Sequence, residues 1–266
     1  MKKLMALLGL VVMVGVLVAC ADDTGNGSAD GNGNGNGETD DVLVMGTSAD
    51  YPPFQFIDVE TDDFAGFDID LARLIAEELG YELEIVDMEF AGLITALRNN
   101  RVDMVLAGMS ITEERLEVVD FSNVYYQANN GTILTLSGTI TSMDDLDGLT
   151  LGVQTGTVQA EIGQSLVDEG VNVELHTMDR IPELVQELIT GRVDGVILNV
   201  LVADGYAADN ADFEVVVDVL TCHESATAIA FPQGSDLTER VNAILAQFEA
   251  DGTMENLIQQ WMIDDE

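Results

Sequence analysis

The chain has very few basic residues. Its 266 residues include nine Lys plus Arg against 49 Asp plus Glu, a formal net charge of −40 at pH 7. The only lysines, Lys2 and Lys3, lie at the N-terminus. Nucleic acid and anionic lipid repel such a charge, so we expect neither as a partner of the folded part. The excess of acids is typical of proteins that work in concentrated salt, but also of merely acidic secreted proteins.

Cysteine and histidine are also scarce, with two of each. If Cys20 is modified, Cys222 has no partner, so no disulfide supports the fold. The histidines are His176 and His223, and the "CHE" at 222–224 lacks the second histidine of a zinc-helix motif. The sequence therefore indicates neither a metal site nor a catalytic histidine.

The first 20 residues have the pattern of a secretion signal. Lys2 and Lys3 precede an apolar run, Leu4 to Ala19, which is short for a membrane span. The run ends in "LVAC", which resembles the lipobox of bacterial lipoproteins and implies cleavage before Cys20 and lipidation of its thiol. An ordinary secretory signal or an uncleaved anchor is the alternative.

Residues 21–41 have the composition of a flexible tether. The segment "ADDTGNGSADGNGNGNGETDD" has no large apolar side chain with which to offset its ordering entropy. About 20 such residues reach roughly 25 Å. Removal of the signal leaves seven arginines against 49 acids, a formal charge of −42. A lipid, a tether and a folded body predict a protein held at the extracytoplasmic face of the cell membrane.

From residue 42 onward, predicted strands and helices alternate. Short apolar or alternating runs predict strands, and apolar residues at helical spacing predict helices. The predicted strands are 42–47, 82–88, 102–107, 149–154, 171–176, 193–199 and 226–234, and the predicted helices are 68–80, 91–100, 157–170, 181–190, 237–252 and 254–262. This alternation predicts an α/β fold.

The two halves of this body repeat each other. "LRNNRVDMVLAG" at 97–108 echoes "LITGRVDGVILN" at 188–199, with the Arg-Val-Asp triplets 91 residues apart. The element order also recurs, which predicts two similar lobes joined by crossings near 127–133 and 220–226. Two crossing strands make a hinge, with a ligand cleft between the lobes. The predicted segments are a signal (1–20), a tether (21–41), a first lobe (42–130 and 224–266) and a second lobe (131–223).

Ligands of open α/β sheets bind beyond the carboxyl ends of the strands. In this chain, those ends are 47–54, 107–115, 154–159, and Asn199 with its neighbours. The second and third stretches lead into helix N-termini, where free backbone N–H groups can receive an anionic oxygen. The sequence therefore predicts a binding site at these stretches.

Arg115 is an unusual residue for the second of these stretches. It lies early in a predicted helix, where the positive end of the helix dipole disfavours another cation. A guanidinium beside Ser110 and a helix start suits a carboxylate. The ordinary alternative is a salt bridge to a neighbouring acid. Those acids are Glu113, Glu114 and Asp120.

The segment "GFDIDLARLIAEEL" at 66–79 resembles the signature of the family-3 solute-binding proteins of amino-acid ABC transporters. The resemblance runs from Val42 to Trp261 and includes "YPPF", "SITEER", "VVDFSNVYY", "LGVQTGT", "GRVDGVILN" and "ADGTMENLIQQW". It implies a two-lobed periplasmic-binding-protein fold (type II, Venus flytrap) with two crossover hinge strands. It also implies a monomeric receptor, not an enzyme, that needs no cofactor and delivers an amino acid to an ABC permease.

The resemblance also implies roles for residues that match family motifs. Arg115 matches the arginine that grips the ligand α-carboxylate, with Ser110 beside it and Thr157 as a donor from the second lobe. Gly108 lies where a backbone carbonyl faces the α-ammonium, and aromatic side chains pack on the ligand. The predicted ligand-binding residues are Ser48, Asp50, Tyr51, Phe54, Phe90, Gly108, Met109, Ser110, Arg115, Thr155, Thr157 and Asn199.

Two positions matter for the choice of ligand. Asn199 stands where the family has an aspartate that pairs with the α-ammonium, and a neutral amide cannot form that ion pair. Backbone carbonyls, Asp50, or a ligand with a substituted or absent amine would each account for this. Ser48 stands where members that bind basic side chains have an acid, which favours a polar neutral or aromatic ligand.

Three functions therefore stay open from the sequence. The first is a receptor for a free amino acid. The second is a receptor for an N-substituted or amino-acid-derived carboxylate, such as a compatible solute or an opine-like molecule. The third is a dehydratase on the same fold.

Overall fold

The computed structural model describes residues 42–129, 131–216, 220 and 224–262. The predicted signal, Cys20 and the tether lie outside the described residues, as do Cys222 and His223. In the described part of the chain, no helix has both the length and the apolar character needed to cross a membrane.

The described chain alternates strands and helices. The strands are β1 (Val42–Thr47), β2 (Asp50–Tyr51), β3 (Gln55–Ile57), β4 (Phe64–Ala65), β5 (Glu82–Asp87), β6 (Met104–Val105), β7 (Val119–Phe121), β8 (Tyr126–Asn129), β9 (Thr132–Leu136), β10 (Thr150–Gln154), β11 (Glu174–Met178), β12 (Gly195–Leu198), β13 (Phe213–Val216), β14 (Glu224–Thr227) and β15 (Ala230–Pro232). The helices are α1 (Phe67–Leu79), α2 (Leu93–Arg98), α3 (Glu113–Leu116), α4 (Val158–Asp168), α5 (Ile181–Ile189), α6 (Val200–Asp209), α7 (Leu237–Asp251) and α8 (Thr253–Trp261).

Two five-stranded sheets with the same pattern of parallel and antiparallel pairings form the centres of two lobes. The first has the order β5-β1-β6-β15-β7 and the second the order β11-β10-β12-β9-β13. In each sheet the first three strands are parallel and the last two pairings are antiparallel. The repeated α/β topology agrees with the repeat seen in the sequence.

The Arg-Val-Asp triplets have equivalent structural roles in the two lobes. The Asp103 carboxylate accepts a hydrogen bond from the Val44 backbone N–H at 2.8 Å, near the start of β1. The Asp194 carboxylate accepts one from the Thr150 N–H at 2.8 Å, at the start of β10. Each aspartate therefore ties the chain before its own strand to the neighbouring parallel strand.

A separate two-stranded sheet joins the lobes. Strands β8 and β14 pair in antiparallel register, with Tyr126 opposite Thr227. These strands coincide with the two crossings predicted from the sequence, near 127–133 and 220–226. The paired strands form the hinge of the two-lobed fold.

Most predicted elements are present, with small shifts at their ends. Helix α1 buries Ile69, Leu71, Ala72 and Ile75 against the first sheet and ends at Gly80, whose φ of 74° permits the left-handed turn. The strand predicted at 171–176 lies instead at Glu174–Met178, in parallel register with β10. The strand predicted at 102–107 is regular only at Met104–Val105.

Candidate functional site

A cavity lies between the two lobes, at the carboxyl ends of their parallel strands. The space between its lining atoms, open solvent included, is about 340 Å³. The chain that follows β1 and β6 lines it from the first lobe, and the chain that follows β10 lines it from the second. Its lining residues are Asp50, Tyr51, Gln55, Phe90, Ala107, Gly108, Ser110, Arg115, Gln154, Thr157, Val158 and Gln159.

Arg115 enters this cavity without an acidic partner among the described residues. It is 6% exposed, and its guanidinium donates to the carbonyl oxygens of Ser110 at 2.6 Å and Gly156 at 3.0 Å. Its guanidinium carbon lies 5.4 Å from the centre of the Phe90 ring. The ion pairs of the described chain are Arg73–Asp70, Arg180–Asp87 and Arg192–Glu187. The salt bridge considered as the ordinary alternative is therefore not formed in the described chain.

Burial changes the electrostatics of Arg115. It lowers the pKa of the guanidinium because the charged form loses hydration, while the negative charges of Glu161 and Glu114 act in the opposite direction. Guanidinium groups stay protonated in proteins even after such a shift. The cavity therefore contains a partly dehydrated positive charge, which an anionic ligand group would compensate.

The first turn of helix α4 borders the same cavity. The Thr157 hydroxyl caps this helix by accepting from the Ala160 N–H at 3.3 Å, and it donates to the Gln154 carbonyl at 2.8 Å. Gly156 has a φ of 76°, and a side chain there would come within 3.2 Å of Ala91 of the first lobe. The turn thus brings the helix N-terminus, with its positive end, close to Arg115.

Gly108 is held against the cavity by a buried carboxyl group. Its N–H donates to Asp68 at 2.7 Å, and the other oxygen of Asp68 accepts from the Tyr125 hydroxyl at 2.8 Å. Gly108 has a φ of 57°, and a Cβ there would lie 3.5 Å from the Tyr51 ring. Burial raises the pKa of Asp68 to about 7, although both hydrogen bonds favour its charged form. Asp68 thus positions the backbone from behind the cavity.

Tyr51 of the first lobe contacts the second lobe through its hydroxyl. The oxygen accepts from Gln159 Nε2 at 3.1 Å and from the Asn199 backbone N–H at 3.3 Å. Its ring stacks on Phe54, with centroids 5.8 Å apart. Burial raises the pKa of Tyr51, so the phenol stays neutral.

Asp50 also bridges the lobes. Its carboxylate accepts from the Ser48 hydroxyl at 2.9 Å, from Gln154 Nε2 at 3.2 Å and from the Ile181 N–H at 3.1 Å. Ile181 is the first residue of helix α5, so this first-lobe acid caps a second-lobe helix. Burial raises the pKa of Asp50, and these hydrogen bonds together with the nearby Arg180 oppose that rise.

The cavity contains seven of the twelve residues predicted to bind the ligand. They are Asp50, Tyr51, Phe90, Gly108, Ser110, Arg115 and Thr157. The other five lie beside the cavity or in the core. Ser48 contacts Asp50, Phe54 and Met109 are buried apolar residues, Thr155 donates to the Met178 carbonyl, and Asn199 caps helix α6 through the Leu201 N–H. The ligand-binding role of all twelve residues stays a prediction.

The cavity also includes five residues that were not predicted. Ala107, Gln154, Val158 and Gln159 fall inside the strand-end stretches, so that rule indicated their position although not their individual roles. Gln55 falls one residue beyond the stretch 47–54. Its only sequence signal is its place directly after "YPPF".

An ion pair outside the cavity also joins the lobes. Arg180, which precedes helix α5, donates to both carboxylate oxygens of Asp87 at 2.8 and 2.9 Å. Asp87 ends strand β5 of the first lobe. Both side chains are about one quarter exposed, at 25% and 30%. In the described part of the chain, no group of three or more His, Cys, Asp or Glu residues is placed to hold a metal ion.

Comparison with known proteins identifies the family. The profile of the bacterial extracellular solute-binding proteins, family 3, matches residues 43–264. The chain belongs to this family. The two-lobed α/β fold predicted from the sequence is confirmed by the solved structures that resemble this solute-binding protein.

Named relatives of this solute-binding protein include receptors for amino acids. The arginine-binding extracellular protein ArtP of Bacillus subtilis (strain 168) is 43% identical over 220 residues, which cover 82% of this chain and 85% of that protein. An ancestral arginine-binding protein bound to arginine superimposes with a TM-score of 0.77 at 37% identity, covering 83% of this chain and 97% of the other. An ancestral arginine-binding protein bound to glutamine superimposes with a TM-score of 0.75 at 38% identity, covering 83% of this chain and 97% of the other.

The raised pKa of Asp68 predicts a pH-dependent stability. The Asp68 carboxyl group binds its proton more tightly in the folded protein than in the unfolded chain. Between about pH 4 and pH 7, loss of that proton therefore lowers the free energy of unfolding more and more as the pH rises. Asp68→Asn removes that penalty. The free energy of unfolding of the variant, minus that of wild type, should therefore grow with pH by up to about 1.4 kcal/mol per unit. Urea unfolding at several pH values in constant high salt measures this difference.

An exposed aspartate provides the control for this experiment. Hydrogen bonds from the Thr61 and Glu60 N–H groups lower the pKa of Asp58. Its charged form therefore favours folding, and the difference for Asp58→Asn should stay constant between pH 4 and pH 7 and change, in the opposite direction, only below about pH 4. A difference for Asp68→Asn that is constant between pH 4 and pH 7 would contradict the assignment.

The Arg180–Asp87 ion pair predicts a contribution to lobe closure. Arg180→Gln should favour the open form by about 0.2–1 kcal/mol, because the pair exists only when the lobes approach. Small-angle scattering of the ligand-free protein at low salt should then give a larger radius of gyration for the variant. Arg192→Gln is the matched control, since its partner Glu187 lies in the same lobe. Equal radii for the two variants would exclude this role.

Proposed function

We propose that this protein captures an amino acid between its lobes and presents it to an ABC permease. The buried Arg115, without an acidic partner in the described chain, is the observation that carries the proposal. A guanidinium in a small cavity, with a helix N-terminus beside it, matches the geometry and charge of a carboxylate. The family membership and the amino-acid-binding relatives support the same function.

The arrangement of donors supports clamping of a carboxylate from both lobes. Arg115 belongs to the first lobe, and its hydrogen bond to the Gly156 carbonyl already reaches the second. Thr157 and the first turn of α4 border the same space. A carboxylate that contacts both sides gains its full interaction energy only when the lobes are closed. Ligand binding would thus shift the population toward the closed form.

The protein groups that would bind the α-ammonium of the ligand are less clear than those for the carboxylate. The Asn199 side chain caps α6 and does not line the cavity, so the loss of the family's aspartate is not compensated at that position. Asp50 and the backbone at Gly108 do line the cavity, and they provide the acceptors that a free ammonium needs. This arrangement favours a free amino acid over an N-substituted ligand.

Binding without chemical conversion is the activity that we infer. The described lining residues include one carboxyl group, that of Asp50, and no histidine or cysteine. A dehydratase would need a general acid and a general base within reach of its substrate. The relatives reported above are named as binding proteins, which supports the same choice.

Arg115→Ala should abolish amino-acid binding whatever the ligand side chain. Removing one partner of a buried charge pair costs about 2–5 kcal/mol, so affinity should fall by at least roughly 30-fold. Isothermal titration of purified protein with L-arginine and L-glutamine measures this. Arg98→Ala is the control, because Arg98 is an exposed arginine of the same lobe. An Arg115→Ala affinity within threefold of wild type would overturn the carboxylate clamp.

We also propose that a lipid on Cys20 holds the receptor at the outer face of the membrane. The apolar run, the "LVAC" sequence and the following tether support this. A single acyl chain gives only reversible attachment, so two or more chains are expected. The suitability of so acidic a chain for concentrated salt, and its monomeric state, stay predictions.

Cys20→Ser should release the receptor from cells. With lipidation lost, the protein should move from the membrane fraction to the culture medium or the periplasm, with its ligand affinity unchanged. Fractionation followed by immunoblotting measures the distribution, and Cys222→Ser serves as the control. Retention of the Cys20→Ser variant on membranes to the same extent as wild type would exclude the lipid anchor.

A further inference from the structure

Gln55 lines the cavity and contains an unpartnered polar atom. The residue is 1% exposed and opens strand β3, directly after Phe54. Its side-chain oxygen, Oε1, is buried and has no hydrogen-bond partner. A buried acceptor without a donor is destabilising, and native proteins keep few of them.

Four side-chain oxygens in the described part of the chain are in this condition, and Gln55 is distinct among them. The others belong to Thr132, Thr227 and Thr238, none of which lines the cavity. Hydroxyl groups can also act as donors, whereas the carbonyl oxygen of an amide only accepts. Among the four, Gln55 is therefore the residue that lines the cavity, and its unpaired atom is an acceptor.

Two other side-chain amides line the cavity, those of Gln154 and Gln159, and the Nε2 donor of each is engaged by protein groups. Gln154 Nε2 donates to Asp50 at 3.2 Å and to the Asp179 carbonyl at 3.0 Å. Asp50 accepts three hydrogen bonds from protein groups. Gln55 Oε1 accepts none, so a ligand donor that reached it would satisfy a buried acceptor.

We propose that Gln55 Oε1 accepts a hydrogen bond from the end of the ligand side chain, which carries a planar N–H donor. A guanidinium or a carboxamide has this chemistry. The inference rests on the proposed function, in which Arg115 takes the carboxylate and leaves the side chain to the remaining lining residues. It makes Gln55 a specificity-determining residue of the cavity.

The charges of the lining residues agree with this class of ligand. Arg115 is the basic residue among them and Asp50 the acidic one, so the cavity has no second cation for a side-chain carboxylate. An acidic side chain would place its oxygens against the acceptor of Gln55 and the Asp50 carboxylate. An aliphatic side chain would leave Oε1 unpaired. Both should bind more weakly than a ligand with N–H donors.

The test is a ligand panel on wild type and two substitutions of Gln55. The ligands are L-arginine, L-citrulline, L-glutamine, L-norleucine and L-glutamate, each titrated by calorimetry. Wild type should bind at least one of the three N–H donors roughly tenfold or more above norleucine, since a site built for a donor rejects ligands that lack it. Gln55→Leu should bring that ratio to within about threefold, while norleucine binding is kept.

The second substitution separates the two kinds of donor. Gln55→Glu keeps an acceptor but adds a negative charge, so it should retain arginine and lose affinity for citrulline and glutamine. Gln164→Leu, on the exposed face of α4, is the control and should leave every ratio unchanged. If Gln55→Leu fails to fold by its melting curve, Gln55→Met replaces it, because Met has a similar length and no amide.

The outcomes distinguish this inference from the proposed function. If wild type binds none of the five amino acids, the inference about Gln55 is overturned, and the proposed function is overturned as well if no other amino acid raises the melting temperature of the protein. If wild type binds them but Gln55→Leu, or Gln55→Met, keeps the wild-type ratio of N–H donor to norleucine within threefold, only the role of Gln55 is overturned. A collapse of that ratio with unchanged norleucine affinity supports the assignment.

Discussion

A buried guanidinium without an acidic partner is the constraint on which the arrangement of this protein depends. A charge removed from water must be compensated, and the described chain offers Arg115 only two backbone carbonyls and an aromatic face. One of those carbonyls belongs to Gly156 of the other lobe, so the compensation is itself part of lobe closure. In a chain with 49 acids, the lack of a salt bridge at this buried arginine is what the proposed binding of a ligand carboxylate rests on.

The contacts around Arg115 join the two lobes. Tyr51 and Asp50 of the first lobe each accept hydrogen bonds from the second, and Asp50 does so at the start of helix α5. The Arg180–Asp87 pair adds a contact at the periphery of the cleft. Each of these contacts between the lobes contributes a modest free energy, and none of them includes a ligand atom.

Sequence patterns predicted much of the fold and part of the site. The repeat of Arg-Val-Asp marked two equivalent aspartates that fasten the same pair of strands in each lobe. The strand-end rule selected the stretches that border the cavity, because the carboxyl ends of parallel strands meet at one edge. It stopped at Phe54 and so missed Gln55, whose side chain reaches the cavity through the turn that "YPPF" makes. The sequence did not indicate a role for Asp68. Its carboxylate accepts a hydrogen bond from the Gly108 N–H, and that contact joins segments 40 residues apart.

By itself, the sequence determined the class of fold, the repeated lobes, the hinge and the presence of a solitary arginine beside a helix start. These follow from periodicity, composition and local capping, which act over a few residues at a time. Only the tertiary structure decided that Arg115 forms no salt bridge in the described chain, that Asp50 lines the cavity while Asn199 caps a helix, and that the Gln55 acceptor is left unpaired. The physical reason is that desolvation and hydrogen-bond satisfaction are set by neighbours distant in sequence, which no local pattern specifies.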